Sequence, residues 1–418
     1  MNRSPLSWKF VPVTFSLLSA GSFVPGLIGT APSSAMADEP ARILLAQSTS
    51  ESDADDESES DAAFAEPQKA ADAKPSAKTA APAKKKSLLV DAYEKTKTAK
   101  NEAAYTQIID QCREGMQADT RESSAAYGRK LLGWAYNRRG EARAAAGRDR
   151  EAIADFEASI KNDPRHWRAV HNRGVSHAMA GKYREAMADF NRTIDLYQNY
   201  PNAYFNRGEL RYEHGDLDGA LSDYNAALRL APDDATAYNS RGHTYYRMDR
   251  FPQAMADYNR ALEIQPENAA VLTNRGDAYA DMHQYGDAAN DYRQAIRYNP
   301  KMGRAYQSAA WLMATCPEEQ YRDERLALDA AQKAIELNGD RDYRYLETLA
   351  AAEAAAGDFA KAQATQARAI KAAPKSETER LGERLEMYRR SQPYREGTSI
   401  ASRPGPPRDF DPPANDED

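Results

Sequence analysis

Small and apolar residues return through the middle of the chain at one fixed interval. Gly140, Gly174, Gly208, Gly242 and Gly276 stand 34 residues apart. Twelve residues after each glycine comes alanine (Ala152, Ala186, Ala220, Ala254, Ala288). Sixteen after it comes a phenyl ring (Phe156, Phe190, Tyr224, Tyr258, Tyr292), and nineteen after it a small residue (Ser159, Thr193, Ala227, Ala261, Ala295). These offsets are i, i+4 and i+7, one face of a helix. Four residues before each glycine stands Tyr136, Val170, Tyr204, Tyr238 or Leu272, which with the glycine marks the inward face of an earlier helix. The unit is a helical hairpin that buries its faces by stacking on copies of itself. A glycine inside a helix costs about 1 kcal/mol relative to alanine, so its fivefold return implies a larger gain from close packing. Glycine and alanine let the two backbones approach, and the ring fills the space toward the next hairpin.

Turn signals agree with this period. Gly147, Gly181 and Gly215 lie seven residues after the key glycine, a place taken later by Asp249 and His283. Pro164, Pro232, Pro266 and Pro300 lie twenty-four after it, where the second helix must stop. The second repeat has Gln198 there and Pro201 three residues on, which predicts a shifted closing turn.

Together these slots resemble tetratricopeptide repeats, strongly in five regular units over 133–300 and weakly in two divergent units over 301–374. In the latter, Ala310 replaces the glycine, and Ala327, Ala331 and Ala334 fall five residues late, so 315–325 reads as a lengthened loop. The stretch GDFAKAQATQARAIKAAP (357–374) restores a turn glycine, Ala362, Ala369 and a closing proline. The resemblance implies an all-α, right-handed solenoid of stacked hairpins, of the type found in exported bacterial proteins.

The flanks differ in composition. Leu88–Met116 and Ser123–Ala146 read as helices, so that 87–132 caps the first repeat. A terminal helix over 375–390 opens with Ser376 and Glu379 in capping-box spacing. At the start, Arg3 and Lys9 precede an uncharged stretch from Phe10 to Thr30, and Ala35-Met36-Ala37 has the small-x-small pattern of a signal-peptidase site. Residues 1–37 are therefore expected to be a signal peptide, with a membrane anchor over 10–30 as the other reading. Either places the folded part outside the cytoplasm, in the periplasm or cell envelope. Residues 38–86 lack the apolar content to fold: Glu51–Asp61 holds seven acids in eleven residues, and an Ala/Pro/Lys tract follows. They read as a solvated tether whose charge blocks could touch a wall or membrane surface. Residues 391–418 read as a disordered, Pro-rich acidic tail.

Charge and chemistry-bearing residues narrow the function. Arginine precedes every key glycine (Arg139, Arg173, Arg207, Arg241, Arg275), and aspartate lies fifteen after it (Asp155, Asp189, Asp223, Asp257, Asp291). The sixth unit loses both, as Ala309 and Ala330. Joint loss points to a structural Arg–Asp ladder, and a basic stripe for an anionic ligand is the alternative. With a net charge of −7 and no basic excess in the repeats, nucleic acid is not an expected partner. The two cysteines, Cys112 and Cys316, allow no disulfide framework. Cys112 falls on an apolar stripe with Tyr105, Ile108 and Ile109, and Cys316 is expected to be half-buried. Six histidines show no ligand spacing, and no nucleophile motif or phosphate loop is present, so no metal, cofactor or enzymatic activity is expected.

What remains is the surface that the architecture creates. In the tetratricopeptide family the first helices line a concave groove that holds a peptide or partner protein. The family's groove slots fall six, three and two residues before the glycine, and one, four and five after it. Carried onto this chain, they give Trp134, Asn137, Arg138, His171, Asn172, Phe205, Asn206, Glu209, Tyr212, Asn239, Ser240, His243, Tyr246, Asn274, Asp277 and Trp311. Amides offer a peptide backbone both donor and acceptor, and aromatic anchors suit protein recognition. The recurring asparagines could equally bond neighbouring helices. The lysine and asparagine that a carboxylate-clamping groove requires are missing. The expectation is a non-enzymatic interaction scaffold of the cell envelope, or alternatively a self-associating structural protein attached through its charged linker.

Overall fold

The computed structural model describes residues 87–397; the expected signal peptide, the tether and the tail beyond 397 lie outside them. The described residues form α-helices and two short 3-10 turns, with no β-strand among them, and divide into two compact units that meet between Ala231 and Pro232. The first contains α1 (Leu88–Thr96), α2 (Glu102–Ala118), α3 (Glu122–Ala145), α4 (Asp149–Asn162), α5 (Trp167–Met179), α6 (Tyr183–Leu196), α7 (Pro201–Glu213) and α8 (Leu217–Leu230). The second contains α9 (Ala235–Arg247), α10 (Phe251–Ile264), α11 (Ala269–Asp281), α12 (Tyr285–Tyr298), α13 (Gly303–Thr315), α14 (Glu324–Asn338), α15 (Tyr343–Ala355), α16 (Phe359–Ala372) and α17 (Thr378–Arg389). In each unit consecutive helices pack as hairpins, giving an α-solenoid.

The close approach of each pair depends on the key glycine. An added Cβ would stand 2.6 Å from the ring of Phe156 at Gly140 and 2.6 Å from that of Tyr292 at Gly276. At Gly174, Gly208 and Gly242 the nearest ring atom would be 2.9–3.0 Å away. Each ring therefore lies on the glycine of its own hairpin, and two of them also reach the next hairpin of their unit: Phe190 joins Leu210, and Tyr258 joins Val271 and Ala278. The five alanines at the twelfth offset are fully buried. Between the helices, Gly147, Gly181, Gly215, Asp249 and His283 all adopt left-handed backbone, with φ of 59–79°. That conformation costs a non-glycine residue roughly 1–2 kcal/mol.

Several boundaries differ from expectation. First helices begin at Trp167, Pro201, Ala235, Ala269 and Gly303, an unbroken 34-residue spacing, so the closing turn of the second repeat is not shifted. Pro201 occupies the first turn of α7, where its missing N–H has no partner to lose. The first capping segment is two helices rather than one, because Asn101 accepts a bond from the Ala104 N–H (2.9 Å) and starts α2 afresh. Glycines 115 and 128 receive the side chains of Leu89 and Met116, closing a cluster with Ile108, Ile109, Cys112, Leu131 and Tyr136. Ser376 does not stand at the cap position expected of it: Lys375–Glu377 form a 3-10 turn, and α17 begins at Thr378 with Glu377 before it and no side-chain cap there.

The lengthened loop holds one 3-10 turn, Glu319–Tyr321, and returns to helix at α14, capped by Asp323. Tyr321 reaches back to Tyr285 on α12, with ring centroids 6.1 Å apart. Cys316 is fully buried rather than half-buried, as the last turn of α13 carries it inward. Ala309 and Ala330, which stand where the other units carry Arg and Asp, are buried in the apolar core. Residues 391–397, assigned by composition to the tail, pack instead on α13.

Candidate functional site

The five Arg–Asp pairs are bidentate rungs within their own hairpins. Arg139–Asp155, Arg173–Asp189 and Arg207–Asp223 span 2.6–3.0 Å in the first unit. Arg241–Asp257 and Arg275–Asp291 span 2.7–2.9 Å in the second. The fork of two parallel N–H bonds fits a carboxylate in both spacing and charge. Further donors reach the same aspartates: Arg143 on Asp155, His177 on Asp189 and Arg211 on Asp223. Remaining guanidinium N–H groups go to Asn191 from Arg207 and to Asn259 from Arg275. The recurring cations are thus spent on internal partners, as a stripe for anions would not be.

The recurring asparagines are also engaged. Asn172 Nδ2 donates to Asn137 Oδ1 at 3.1 Å and to Glu141 at 2.9 Å, and Asn274 Nδ2 donates to Asn239 Oδ1 at 2.9 Å. Asn206 Nδ2 meets His171 Nε2 at 3.0 Å. The rule is common to all three: an amide two residues before one glycine bonds the side chain three before the preceding glycine. Burial pushes His171 down to about 4, so its ring is neutral at pH 7 and Nε2 can accept from Asn206. Asparagine therefore recurs here as a tie between adjacent first helices.

A second rule links ring and acid. In two of the three units whose sixteenth-offset ring is tyrosine, its hydroxyl donates to the carboxylate one residue after the glycine, Tyr224 to Glu209 at 2.6 Å and Tyr292 to Asp277 at 2.7 Å, whereas the unit of Tyr258 has His243 in that slot. Arg304 also donates to Asp277, at 2.9 Å. Tyr246 donates to Asp281 at 2.8 Å.

These bonds sort the sequence candidates. Asn137, His171, Asn172, Phe205 and Asn206 are buried in the first unit, as are Ser240, Tyr246, Asn274 and Trp311 in the second. Trp134, Arg138, Glu209 and Tyr212 remain half-buried in the first unit, and Asn239, His243 and Asp277 in the second. Arg138 lies over Trp134, 5.9 Å from its centroid, and pairs with Glu141. His243 stacks on Tyr246 at 5.8 Å. Glu213 was missed by the candidate set although it occupies a groove slot, five after Gly208. Burial, and secondly the Glu209 carboxylate, push it up to about 7. Also missed was the cluster of Trp167 with Tyr197 (4.8 Å) and Tyr200 (4.6 Å), covered by Arg168. Tyr197 and Tyr200 sit in a closing turn, outside any first-helix slot.

Family models agree with the repeat reading. Models described as tetratricopeptide repeat match residues 137–203, 235–268 and 269–302, and one described as TPR repeat matches 208–249. No curated protein is matched by the sequence. Among solved structures, a tetratricopeptide repeat protein from Parabacteroides merdae is 17% identical over 62% of this chain and 99% of its own, with a TM-score of 0.49. MamA from Desulfovibrio magneticus RS-1 is 18% identical over 40% of this chain and 96% of its own (TM-score 0.38). YrrB, titled a TPR protein with an unusual peptide-binding site, is 16% identical over 46% and 95% respectively (TM-score 0.38).

Proposed function

Because the chain belongs to the tetratricopeptide-repeat family, we propose that it is a non-enzymatic interaction scaffold whose first-helix faces hold a partner protein or an extended peptide. The carrying observation is the division of labour along the first helices. Arginine, glycine and most asparagines are consumed by internal contacts. The side chains that stay half-buried on these faces, several of them also bonded internally, mix aromatic, amide, basic and acidic groups: Trp134, Arg138 and Tyr212 in one unit, Asn239, His243 and Asp277 in the other. Aromatic and arginine anchors in such a setting suit protein recognition. The N-terminal pattern of Arg3, Lys9, an uncharged stretch and Ala35-Met36-Ala37 supports a place in the cell envelope, with residues 38–86 as a tether.

The test is capture from an envelope extract by the full chain, beside a full chain carrying Arg138→Ala, Tyr212→Ala, Asn239→Ala and His243→Ala. Circular dichroism first establishes equal helicity. A partner retained by the first and lost by the second supports the reading. Equal recovery, or concentration-dependent self-association with no partner, overturns it in favour of another surface or a self-assembling role.

A further inference from the structure

After α17, the last helix among the described residues, the chain turns back onto α13. Ser391 adopts left-handed backbone (φ 59°), and the Gln392 N–H bonds the Met387 carbonyl at 2.9 Å, a helix stop that reverses the direction of the chain. Pro393 follows, and the next three residues engage α13 in succession. The Tyr394 ring lies 5.9 Å from that of Trp311. Arg395 donates to the Ala314 carbonyl at 2.7 Å, and the Glu396 N–H donates to the Thr315 carbonyl at 2.9 Å. The Glu396 carboxylate accepts from Trp311 Nε1 at 2.7 Å. From α17, the Arg384 guanidinium lies over both rings, 4.8 Å from Trp311 and 4.2 Å from Tyr394.

The location of this contact matters more than its size. Trp311 stands one residue after Ala310, the slot that holds Glu209, His243 and Asp277 in other repeats. Thr315 stands five after it, the slot of Glu213 and Asp281. The segment thus lies on the first-helix face, in the register that the regular repeats leave half-open. The last carbonyls of a helix need donors from outside it. Those of α13 are shared between the lengthened loop, where Asp323 N–H bonds Met313 and Arg322 bonds Cys316, and this segment. A replacement must bring the same groups: a ring for Trp311, a cation for a helix C-terminus, and a carboxylate for the indole N–H.

We propose that the first-helix face at Trp311 is a binding site for an extended peptide bearing an aromatic residue, an arginine and a carboxylate in succession, and that the chain's own Tyr394–Glu396 fills it in competition with such a partner. This rests on the reading of the first-helix faces as the protein-binding surface. The Glu396 carboxyl is held above the ordinary carboxylate range, by burial first and by the nearby Asp281 charge, with Trp311, Arg384 and His283 acting in the opposite sense. Unlike the buried glycine and ring contacts, the docked acid is accommodated at a cost, as suits an occupant that leaves.

The experiment uses a labelled peptide of the sequence Ser391–Gly397 and fluorescence anisotropy. It compares the unaltered full chain with one carrying Tyr394→Ala, Arg395→Ala and Glu396→Ala. The substituted chain should bind the peptide at least tenfold more tightly, and adding Trp311→Phe, which removes the indole donor, should weaken that binding severalfold. Equal binding by both chains, indifference to Trp311→Phe, or loss of helicity on substituting the segment would overturn the proposal, the last by making the segment a structural clasp. Hydrogen exchange on the unaltered chain gives a second reading: the Glu396 amide should exchange at least a hundredfold faster than the amides of α13, and equal protection would contradict a displaceable occupant. Partner capture that ignores the three substitutions would overturn this inference while the scaffold reading stands. Peptide binding without any captured partner would do the reverse.

Discussion

Removing one side of an Arg–Asp rung should destabilise the protein more than removing both. In the Arg241–Asp257 rung, Asp257 receives Nε at 2.8 Å and Nη2 at 2.7 Å, and the side chains are 18% and 7% exposed. Breaking a buried pair by deleting one partner costs about 3–5 kcal/mol, because the other charge is left without compensation. The partial exposure of Arg241 lets water reach a stranded guanidinium, which places Asp257→Ala at about 2–3 kcal/mol, below that range. Arg241→Ala strands the more deeply buried carboxylate and should cost about 3 kcal/mol. The double variant leaves no charge behind, only lost packing. The sixth repeat already places alanine at both positions, and Ala309 and Ala330 are buried there. We therefore expect about 1–2 kcal/mol for the double variant, far below the sum of the singles, and the shortfall of about 3–5 kcal/mol lies at or beyond the upper end of usual coupling energies. Urea unfolding of the four full-length proteins, followed by circular dichroism, completes the cycle. Additive losses would refute the argument that the rungs act as pairs.

Three further outcomes follow from the packing and the titrating groups. Gly276→Ala should destabilise despite its better helix propensity, since its Cβ would meet the Tyr292 ring at 2.6 Å, and overpacking of about 1–3 kcal/mol outweighs a gain of about 1; urea midpoints test this, and a stabilised variant would contradict it. Burial pushes the Cys112 thiol up to about 12 and the Cys316 thiol up to about 11, so neither should react with a thiol reagent at pH 8 until urea unfolds the chain. Glu213, pushed up to about 7 from an ordinary 4.5, stabilises the fold most while protonated. Its contribution is complete below pH 4.5 and is lost as pH rises through 7. The urea midpoint of Glu213→Gln should therefore fall less between pH 5 and 8 than that of the unaltered chain.

The repeat frame was legible because it is written five times at one spacing. The glycine and its ring can be read as partners only when both slots are small and aromatic in every copy, as they are from Gly140/Phe156 to Gly276/Tyr292. The Arg–Asp rungs were legible for the same reason, helped by their joint loss at Ala309 and Ala330. The asparagines were not. A side-chain amide serves a neighbouring helix or a ligand equally well, and only geometry shows Asn172 tied to Asn137 and Asn274 to Asn239. The contact of Tyr394–Glu396 with Trp311 joins positions some eighty residues apart and occurs once, so no period announces it. Composition also misled there: the dense run of prolines and acids that marks the tail lies over 404–418, after the segment that docks, which holds only Pro393 and Glu396.

Site-directed photocrosslinking would test the central claim most directly. A photoreactive amino acid is placed in the full chain at Arg138 or Asn239, on first helices, and at Lys161 or Arg297, exposed on second helices. The account predicts that an envelope protein crosslinks from Arg138 or Asn239 and not from Lys161 or Arg297. Crosslinks arising only from the second-helix positions would contradict it.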